Sequence, residues 1–351
     1  MNILDARTLL CMGVIMGWLI VPMEMSAQPQ ENPQKAEDQA QFQMNVMLFR
    51  IKMFHQEVKS TLHYTMDLGF FREYFSLPES KYNTVDAIGV VQFSEAQKKL
   101  RRQMEQWSAL LHERFVIGEV CLIDRTGQEH MRTVRGQVED THFFSNTESD
   151  SPFFAASFAR KGGEIHVSQP YMSPDSRYWV VAYSSPVLLE NGEIPAFFHF
   201  EIPLNVYSKV ISTKDYGYMT ANIQWKHDTE EEGQFFIIDQ DGLLIADNHQ
   251  EIRTELFEVQ SEKEKEEGTN FMQLEQLADY LPHVSSISQA PQFLDAVEKM
   301  RSGKSGVQHF NIGDRPYVLI FQPIPETSWS LAHLDPVAGP GFWERMKHDA
   351  P

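Results

Sequence analysis

The residues most able to bind a small molecule lie on two neighbouring strands of the sequence. The segment "SQPYMSPDSRYWVVAYSSPV" (168–187) is a turn that runs into an aromatic strand, and "FFHFEIPL" (197–204) returns after it. Alternation along each strand places its odd-numbered residues on one face. A face holding Trp, Tyr, His and Glu is not a purely hydrophobic core, and burying Glu without a partner costs several kcal/mol. Such a face either meets solvent or lines a polar cavity. The residues concerned are Trp179, Val181 and Tyr183 on the first strand, and Phe197, His199 and Glu201 on the second.

A repeated hairpin predicts the elements that position these residues. The segments 121–134, "CLIDRTGQEHMRTV", and 236–248, "FIIDQDGLLIADN", share a strand, Ile-Asp-x-x-Gly and a second strand. The Asp and Gly supply the chemistry of a hairpin turn. Each copy is followed by a second pair of strands, at 178–204 around Asn191-Gly192 and at 315–336. Two antiparallel sheets in tandem, combined with helices, predict an α+β fold.

Two helices are predicted before the first sheet. Apolar residues recur at helical spacing between Gln41 and Asp67, a stretch that contains neither Gly nor Pro, and residues 28–40 read as a polar tether. We expect His55 and His63 to be surface residues of this helix. A second helix is predicted from a Ser94–Gln97 capping box to about Glu113. The apolar stripe of the first helix consists of Met47, Ile51, Phe54, Val58 and Leu62.

Composition and charge limit the class of protein. The chain has 351 residues, of which 42% are hydrophobic and 12% aromatic, and it has room for two folded domains. Its net charge of −19 disfavours nucleic acid or an anionic membrane surface as partner.

The N-terminus predicts export. Arg7 precedes an apolar run that ends at Pro22, and small residues follow near Ala27, which is the layout of a secretory signal in residues 1–27. The alternative is an uncleaved segment that anchors the protein to the inner membrane. Cleavage would remove Cys11 and leave Cys121, for which an apolar strand context favours a buried thiol over a nucleophile. The predicted location is therefore the periplasm.

The layout and three segments resemble the double Cache sensor domain, two tandem PAS-like sheets behind a long N-terminal helix, over roughly residues 40–336. The segments are "EVCLIDRTGQEHMR" (119–132), "SQPYMSPDSRYWVVAYSSPV" leading into "FFHFEIPL", and "GVQHFNIGDRPYVLIFQPIPETSWSL" (306–331). In that family the turn and strand matching 171–183 line the ligand pocket of the membrane-distal domain.

The resemblance implies ligand-binding roles. In an amino-acid-binding subset, an Arg pairs with the ligand carboxylate, aromatic rings close over it, and an Asp on the later strand takes the ammonium group. Arg177-x-Trp179 matches that pattern, but Tyr171 lies one residue further from the Arg, Val180 replaces a Tyr, and Glu201 replaces the Asp. The implied ligand is a small organic molecule of the amino acid, amine or carboxylate class. The candidate ligand-binding residues are Tyr171, Arg177, Trp179, Tyr183, His199 and Glu201.

No catalytic, cofactor or metal motif is found in the sequence. The "SGKSG" segment (302–306) lacks the first Gly of a phosphate-binding loop, since Glu298 stands in its place. The aspartates of "IDQDG" and "IADN" do not have EF-hand spacing. We therefore expect no enzyme activity, no cofactor and no metal.

The predicted organisation is a signal peptide (1–27), a tether and long helix (28–80), a distal-type Cache domain with the ligand pocket (81–212), a proximal-type Cache domain (213–336) and a tail (337–351). The predicted function is that of a soluble periplasmic ligand-binding module, without a transmembrane helix or effector of its own. It would act through a membrane-bound sensor kinase or receptor, or serve in delivery. The alternative is an interaction module with a closed pocket that forms a homodimer through the N-terminal helix.

Overall fold

The computed structural model describes residues 33–81, 84–85, 90–212, 233–248 and 283–337. The predicted signal peptide and most of the predicted inter-domain segment, 213–233, lie outside these ranges. No helix among the described residues is long and apolar enough to cross a membrane. The fold class is the predicted α+β class, with one long helix and two main antiparallel sheets.

Six α-helices are described. The long helix includes residues 33–40, which the sequence assigned to a tether. Pro33 is compatible with the first turn of a helix, and the residues after it are mostly good helix formers. The helices are α1 (Pro33–Asp67), α2 (Gly69–Ser76), α3 (Glu95–Arg114), α4 (Phe154–Phe158), α5 (Leu204–Ile211) and α6 (Pro291–Arg301).

A seven-stranded sheet, called the first sheet here, follows a short ribbon of β1 (Thr84–Val85) and β2 (Val91–Gln92). Its strand order is β5-β4-β3-β9-β8-β6, and β7 also pairs with β8. The strands are β3 (Glu119–Asp124), β4 (Glu129–Val134), β5 (Gln137–Val138), β6 (His166–Val167), β7 (Tyr171–Met172), β8 (Trp179–Val187) and β9 (Ala196–Pro203).

The second sheet has five strands in the order β11-β10-β14-β13-β12. In each sheet the first strand of the Ile-Asp-x-x-Gly hairpin pairs with the last strand of the later hairpin, so the sequence repeat becomes a structural repeat. The strands are β10 (Gln234–Ile238), β11 (Leu244–Asp247), β12 (Gly306–Ile312), β13 (Arg315–Pro323) and β14 (Ser330–Pro336).

The repeated turns form for the predicted reason. Asp124 Oδ1 accepts backbone N–H groups from Thr126 and Gln128 at 2.8 and 3.1 Å. Asp239 Oδ1 accepts two backbone N–H groups in the second copy, both at 2.9 Å. Gly127 and Gly242 have φ of +85° and +83°, which glycine adopts without steric cost.

The long helix α1 packs on both sheets. Its apolar stripe is buried in one continuous core that includes helix-facing residues of β8 and residues of β13 and β14. Every predicted member of the stripe is at least 95% buried. The helix thus connects the two sheets along its length.

The predicted capping box at the start of α3 is confirmed. Ser94 Oγ accepts the Gln97 N–H at 3.2 Å, and Gln97 Oε1 accepts the Ser94 N–H at 2.8 Å.

We expect Ser94→Ala to lower the free energy of unfolding by about 1 kcal/mol, because the first turn loses its acceptor. Chemical unfolding would measure this loss. Ser94→Thr is the control, since threonine retains the cap; equal losses in both variants would contradict the role of the hydroxyl.

Candidate functional site

The two faces of the first sheet have different surroundings. One, called the helix face, belongs to the core around α1 and includes Trp179, Val181 and Tyr183. The other, called the site face, carries Ala182 and Phe197 in a second, smaller cluster. Glu201 pairs with Ala182, and His199 pairs with Ser184, so both lie on the site face. The expectation that Trp179 and Tyr183 share a face with His199 and Glu201 is therefore wrong, because the register pairs even-numbered residues of β8 with odd-numbered residues of β9.

Tyr183 takes part in a polar contact between the sheet and the helix. Its hydroxyl lies 2.5 Å from His55 Nδ1 and 2.9 Å from the Tyr207 hydroxyl. Trp329, in the connection just before β14 of the second sheet, packs its ring 5.6 Å from that of His55. His55 is buried rather than exposed as expected, and burial lowers its pKa to about 3. This group links α1 to both sheets.

Glu201 is held by the turn that the sequence singled out. Its Oε1 accepts the Tyr171 hydroxyl at 2.6 Å, and its Oε2 accepts the Ser176 hydroxyl at 3.1 Å. Gly118 allows this approach, because a Cβ there would lie 2.9 Å from Ser176 Oγ and 3.3 Å from Glu201 Oε2. Glu201 is 2% exposed, and burial raises its pKa to about 7 despite these hydrogen bonds.

Arg177 does not contact Glu201 in an ion pair. It lies in the turn at a φ of +59° and is half-buried. Burial raises the pKa of Asp175, and the positive charge of Arg177 opposes this rise. Thus the structure brings together Tyr171, His199 and Glu201 on the site face and leaves Arg177 at its edge.

Arg132, on β4, is a buried cation of the site face that pairs with two carboxyls. Its Nη1 lies 3.2 Å from Glu129 Oε2 and its Nη2 lies 3.0 Å from Asp175 Oδ1. Glu129 also accepts the Ser145 N–H at 2.7 Å and the Cys121 thiol at 3.2 Å. Arg132 favours the ionised form of both carboxyls, and removing it would leave any charge that they carry uncompensated.

Acidic groups outnumber cations on this face. Burial raises the pKa of Glu129 to about 8 although Arg132 opposes this, and it raises the pKa of Glu148. Burial, followed by the charges of Asp175 and Glu201, also raises the pKa of Glu119. Among the described residues, the carboxyls of this face share one buried arginine, Arg132, so acidic groups outnumber the cations that pair with them. We call these five residues the acid cluster: Glu119, Glu129, Glu148, Asp175 and Glu201.

His199 is buried beside the acid cluster with neither ring nitrogen bonded. It is 1% exposed, and neither Nδ1 nor Nε2 has a hydrogen-bond partner. Its ring packs on Phe153 at 4.6 Å, and Phe153 in turn packs on Tyr171 at 5.4 Å. Burial lowers the pKa of His199 to about 3, so the imidazole is neutral. A neutral imidazole with an available lone pair can accept a hydrogen bond from a ligand or bind a metal ion.

Most of the acid cluster was missed from the sequence. Glu129 and Arg132 are three apart in a strand, and simple alternation places them on opposite faces. The pairing register shifts between Leu122 and Ile123, which makes His130 an extra residue and returns Arg132 to the face of Glu129. The sequence did contain one signal for this cluster. Glu119 and Cys121 are two residues apart in an otherwise apolar strand, so they lie on the same face.

Three solved structures share this fold at low sequence identity. The sensory domain of the Campylobacter jejuni chemoreceptor Tlp3, with isoleucine bound, has a TM-score of 0.52 and 10% identity, over 86% of this chain and 93% of that one. The extracellular domain of the histidine kinase vpHK1S-Z8 has a TM-score of 0.55 and 8% identity, over 91% and 96%. A domain of a sensory box/GGDEF family protein from Vibrio parahaemolyticus has a TM-score of 0.54 and 8% identity, over 87% and 97%. No protein-family model and no curated protein matches the sequence.

The chain therefore has the fold of the sensory ligand-binding domains of chemoreceptors and histidine kinases. The resemblance to double Cache sensor domains is confirmed at the level of the fold. These neighbours are sensory domains rather than enzymes.

Proposed function

We propose that this protein is a periplasmic sensory domain that binds a small, positively charged organic molecule on the site face of the first sheet. The observation that carries the proposal is the excess of buried carboxyls in the acid cluster over the arginines beside it. An ammonium group placed between Asp175 and Glu201 would supply the missing charge, and ionised carboxylates make strong hydrogen bonds to such a donor. The signal would pass to a membrane-bound kinase or receptor.

The aromatic side chains favour an amine over a bare inorganic cation at this end of the site. Phe153 and Tyr171 pack together next to Glu201, and such rings attract an organic cation through their electron-rich faces. The Tlp3 domain named above was solved with isoleucine, whose ammonium group has this chemistry. The proposal for the present chain is an amine or amino acid.

A second candidate is an interaction module whose pocket is closed. Both carboxylate oxygens of Glu201 already accept hydrogen bonds from Tyr171 and Ser176, which a closed site requires. The α1 surface also exposes Phe42, Phe49 and Met53, which a homodimer would cover. Neutral hydroxyl donors do not supply a positive charge, so we place this candidate second.

A thermal-shift screen of the full-length protein tests the proposal. Each amine is compared with the alcohol and the carboxylate of the same carbon skeleton, at equal ionic strength. An amine at a hundred times its dissociation constant should stabilise the protein by about 2.7 kcal/mol. Glu201→Gln should abolish the shift, whereas Glu298→Gln, at an exposed position on α6, should retain it. The absence of a thermal shift with every amine, or an equal shift with the alcohols, would overturn the proposal and favour the interaction module.

A further inference from the structure

We propose that the site face also binds a divalent transition-metal ion of the Zn²⁺ class through Glu119, Cys121, Glu129 and His199. The first three residues each place one ligand atom within 4.8 Å of the other two, and all three are buried. Bonds of about 2.0–2.3 Å from oxygen and sulfur to a tetrahedral zinc ion separate the ligand atoms by about 3.5 Å. Small side-chain movements would therefore bring these three residues to bonding distance, and a rotation of the His199 ring toward Cys121 would complete the site.

His199 provides a separate indication of a ligand. It is paired directly with Cys121 across β3 and β9, so the two side chains stand side by side on the site face. Its ring nitrogens are both buried and unbonded, although nearly all buried polar groups in proteins have a partner. A metal ion next to the Cys121 sulfur would satisfy one of these nitrogens.

The ligand types select the metal. A thiolate, an imidazole and two carboxylates suit zinc or cobalt, whereas Ca²⁺ and Mg²⁺ prefer oxygen ligands alone. A second group, Glu129, Glu148 and Asp175, also brings its ligand atoms within 4.8 Å of one another and offers only oxygens. The two groups share Glu129, so they would compete for a single ion. Cys121 and His199 favour the first group.

The contacts of Glu129 leave one oxygen directed at the proposed metal. Its Oε2 accepts hydrogen bonds from Ser145 N–H at 2.7 Å and Arg132 at 3.2 Å. Its Oε1 faces the Cys121 sulfur at 3.2 Å, with Arg132 more distant at 3.4 Å. Arg132 would thus orient the carboxylate from outside the coordination sphere.

Binding must release protons. Burial, followed by the charges of Glu129 and Glu119, raises the pKa of the Cys121 thiol. The incoming ion replaces the thiol proton by a metal–sulfur bond, and that proton passes to solvent together with any proton held by Glu119 or Glu129. Affinity should therefore rise with pH. The metal ion would bind Glu119 and Glu129, whereas the organic ligand would bind Asp175 and Glu201. The metal site therefore does not depend on the proposed sensory function.

Cobalt titration tests the site, because a cobalt–thiolate bond gives a near-ultraviolet charge-transfer band and tetrahedral cobalt gives strong visible bands. The chelator-treated, reduced full-length protein should develop both sets of bands with one equivalent of Co²⁺, and Zn²⁺ should displace them. Cys121→Ser should remove the charge-transfer band. Cys11→Ser is the matched control and should keep it. His199→Gln should weaken binding by about tenfold or more.

Several outcomes would overturn the proposal. The charge-transfer band could be absent in the wild type, or it could persist in Cys121→Ser and disappear in Cys11→Ser. Tight Ca²⁺ binding unaffected by Cys121→Ser would move the site to the oxygen-only group. X-ray absorption of the zinc-loaded wild type needs no variant: a sulfur neighbour at about 2.3 Å supports the site, and an all-oxygen shell contradicts it.

Discussion

The contribution of Glu201 and Glu129 to the free energy of unfolding should fall as the pH is raised from 5 to 8, because these carboxyls are more easily protonated in the native state than in the unfolded chain. The buried His55 and His199, with pKa values lowered to about 3, act in the opposite direction. The ordinary pKa of a glutamate is 4.5, and burial raises that of Glu201 to about 7 and that of Glu129 to about 8. Between these values the two carboxyls bind more protons in the native protein than in the unfolded chain. The stability that they contribute is then greatest below pH 4.5 and is lost as the pH passes through 7 and 8.

The expected size of the effect is large for a single residue. For Glu201 the shift corresponds to about 3 kcal/mol of stability lost across this range, at 1.36 kcal/mol per pKa unit. Chemical unfolding of chelator-treated protein at pH 5 and pH 8 measures the difference. Glu201→Gln should remove its share of the pH dependence, while Glu298→Gln should leave the dependence unchanged. A pH dependence that Glu201→Gln leaves unchanged would show that Glu201 is already ionised in the native protein at pH 5.

Replacing Arg132 by methionine should lower the free energy of unfolding by about 3–5 kcal/mol at pH 8, since Glu129 and Asp175 would lose their shared cation inside the protein. The loss should be smaller at pH 5, where the carboxyls can take up protons instead. Urea unfolding at the two pH values measures both quantities.

Arg114→Met is the matched control for this substitution. Arg114 pairs with Glu57 at 3.0 Å, but its side chain is 56% exposed. Surface ion pairs contribute about 0–1 kcal/mol, so this variant should be nearly as stable as the wild type. A similarly small loss in Arg132→Met at both pH values would mean that Glu129 and Asp175 are already neutral.

Local sequence rules predicted the framework because they depend on neighbouring residues alone. The Asp and Gly of each hairpin act within five residues, and the capping box acts within four. The turn at Asn191-Gly192 is equally local: Gly192 has a φ of +83°, and Asn191 accepts the Glu193 N–H at 3.0 Å. These features are confirmed as predicted.

The set of residues that share the site could not be predicted from the sequence of one strand, because it depends on how neighbouring strands pair. The sequence shows that Trp179 and Tyr183 share a face, but the register with β9 decides which face meets Glu201. Likewise the bulge at His130 gathers Glu129 and Arg132 on one side. The binding roles of Tyr171, Arg177, His199 and Glu201 stay predictions, as do the domain boundaries at 81–212 and 213–336.

The strand β8 separates the proposed ligand site from the contact with α1 by the thickness of one polypeptide chain. Ala182 lies beside Glu201 on the site face, and the next residue, Tyr183, holds His55 of α1 on the helix face. A ligand that shifts this strand by even a fraction of an ångström therefore strains a hydrogen bond to the long helix directly. If the proposed ligand binds on the site face, its effect on β8 would reach α1 through a single strand, without any contact between the ligand and the helix.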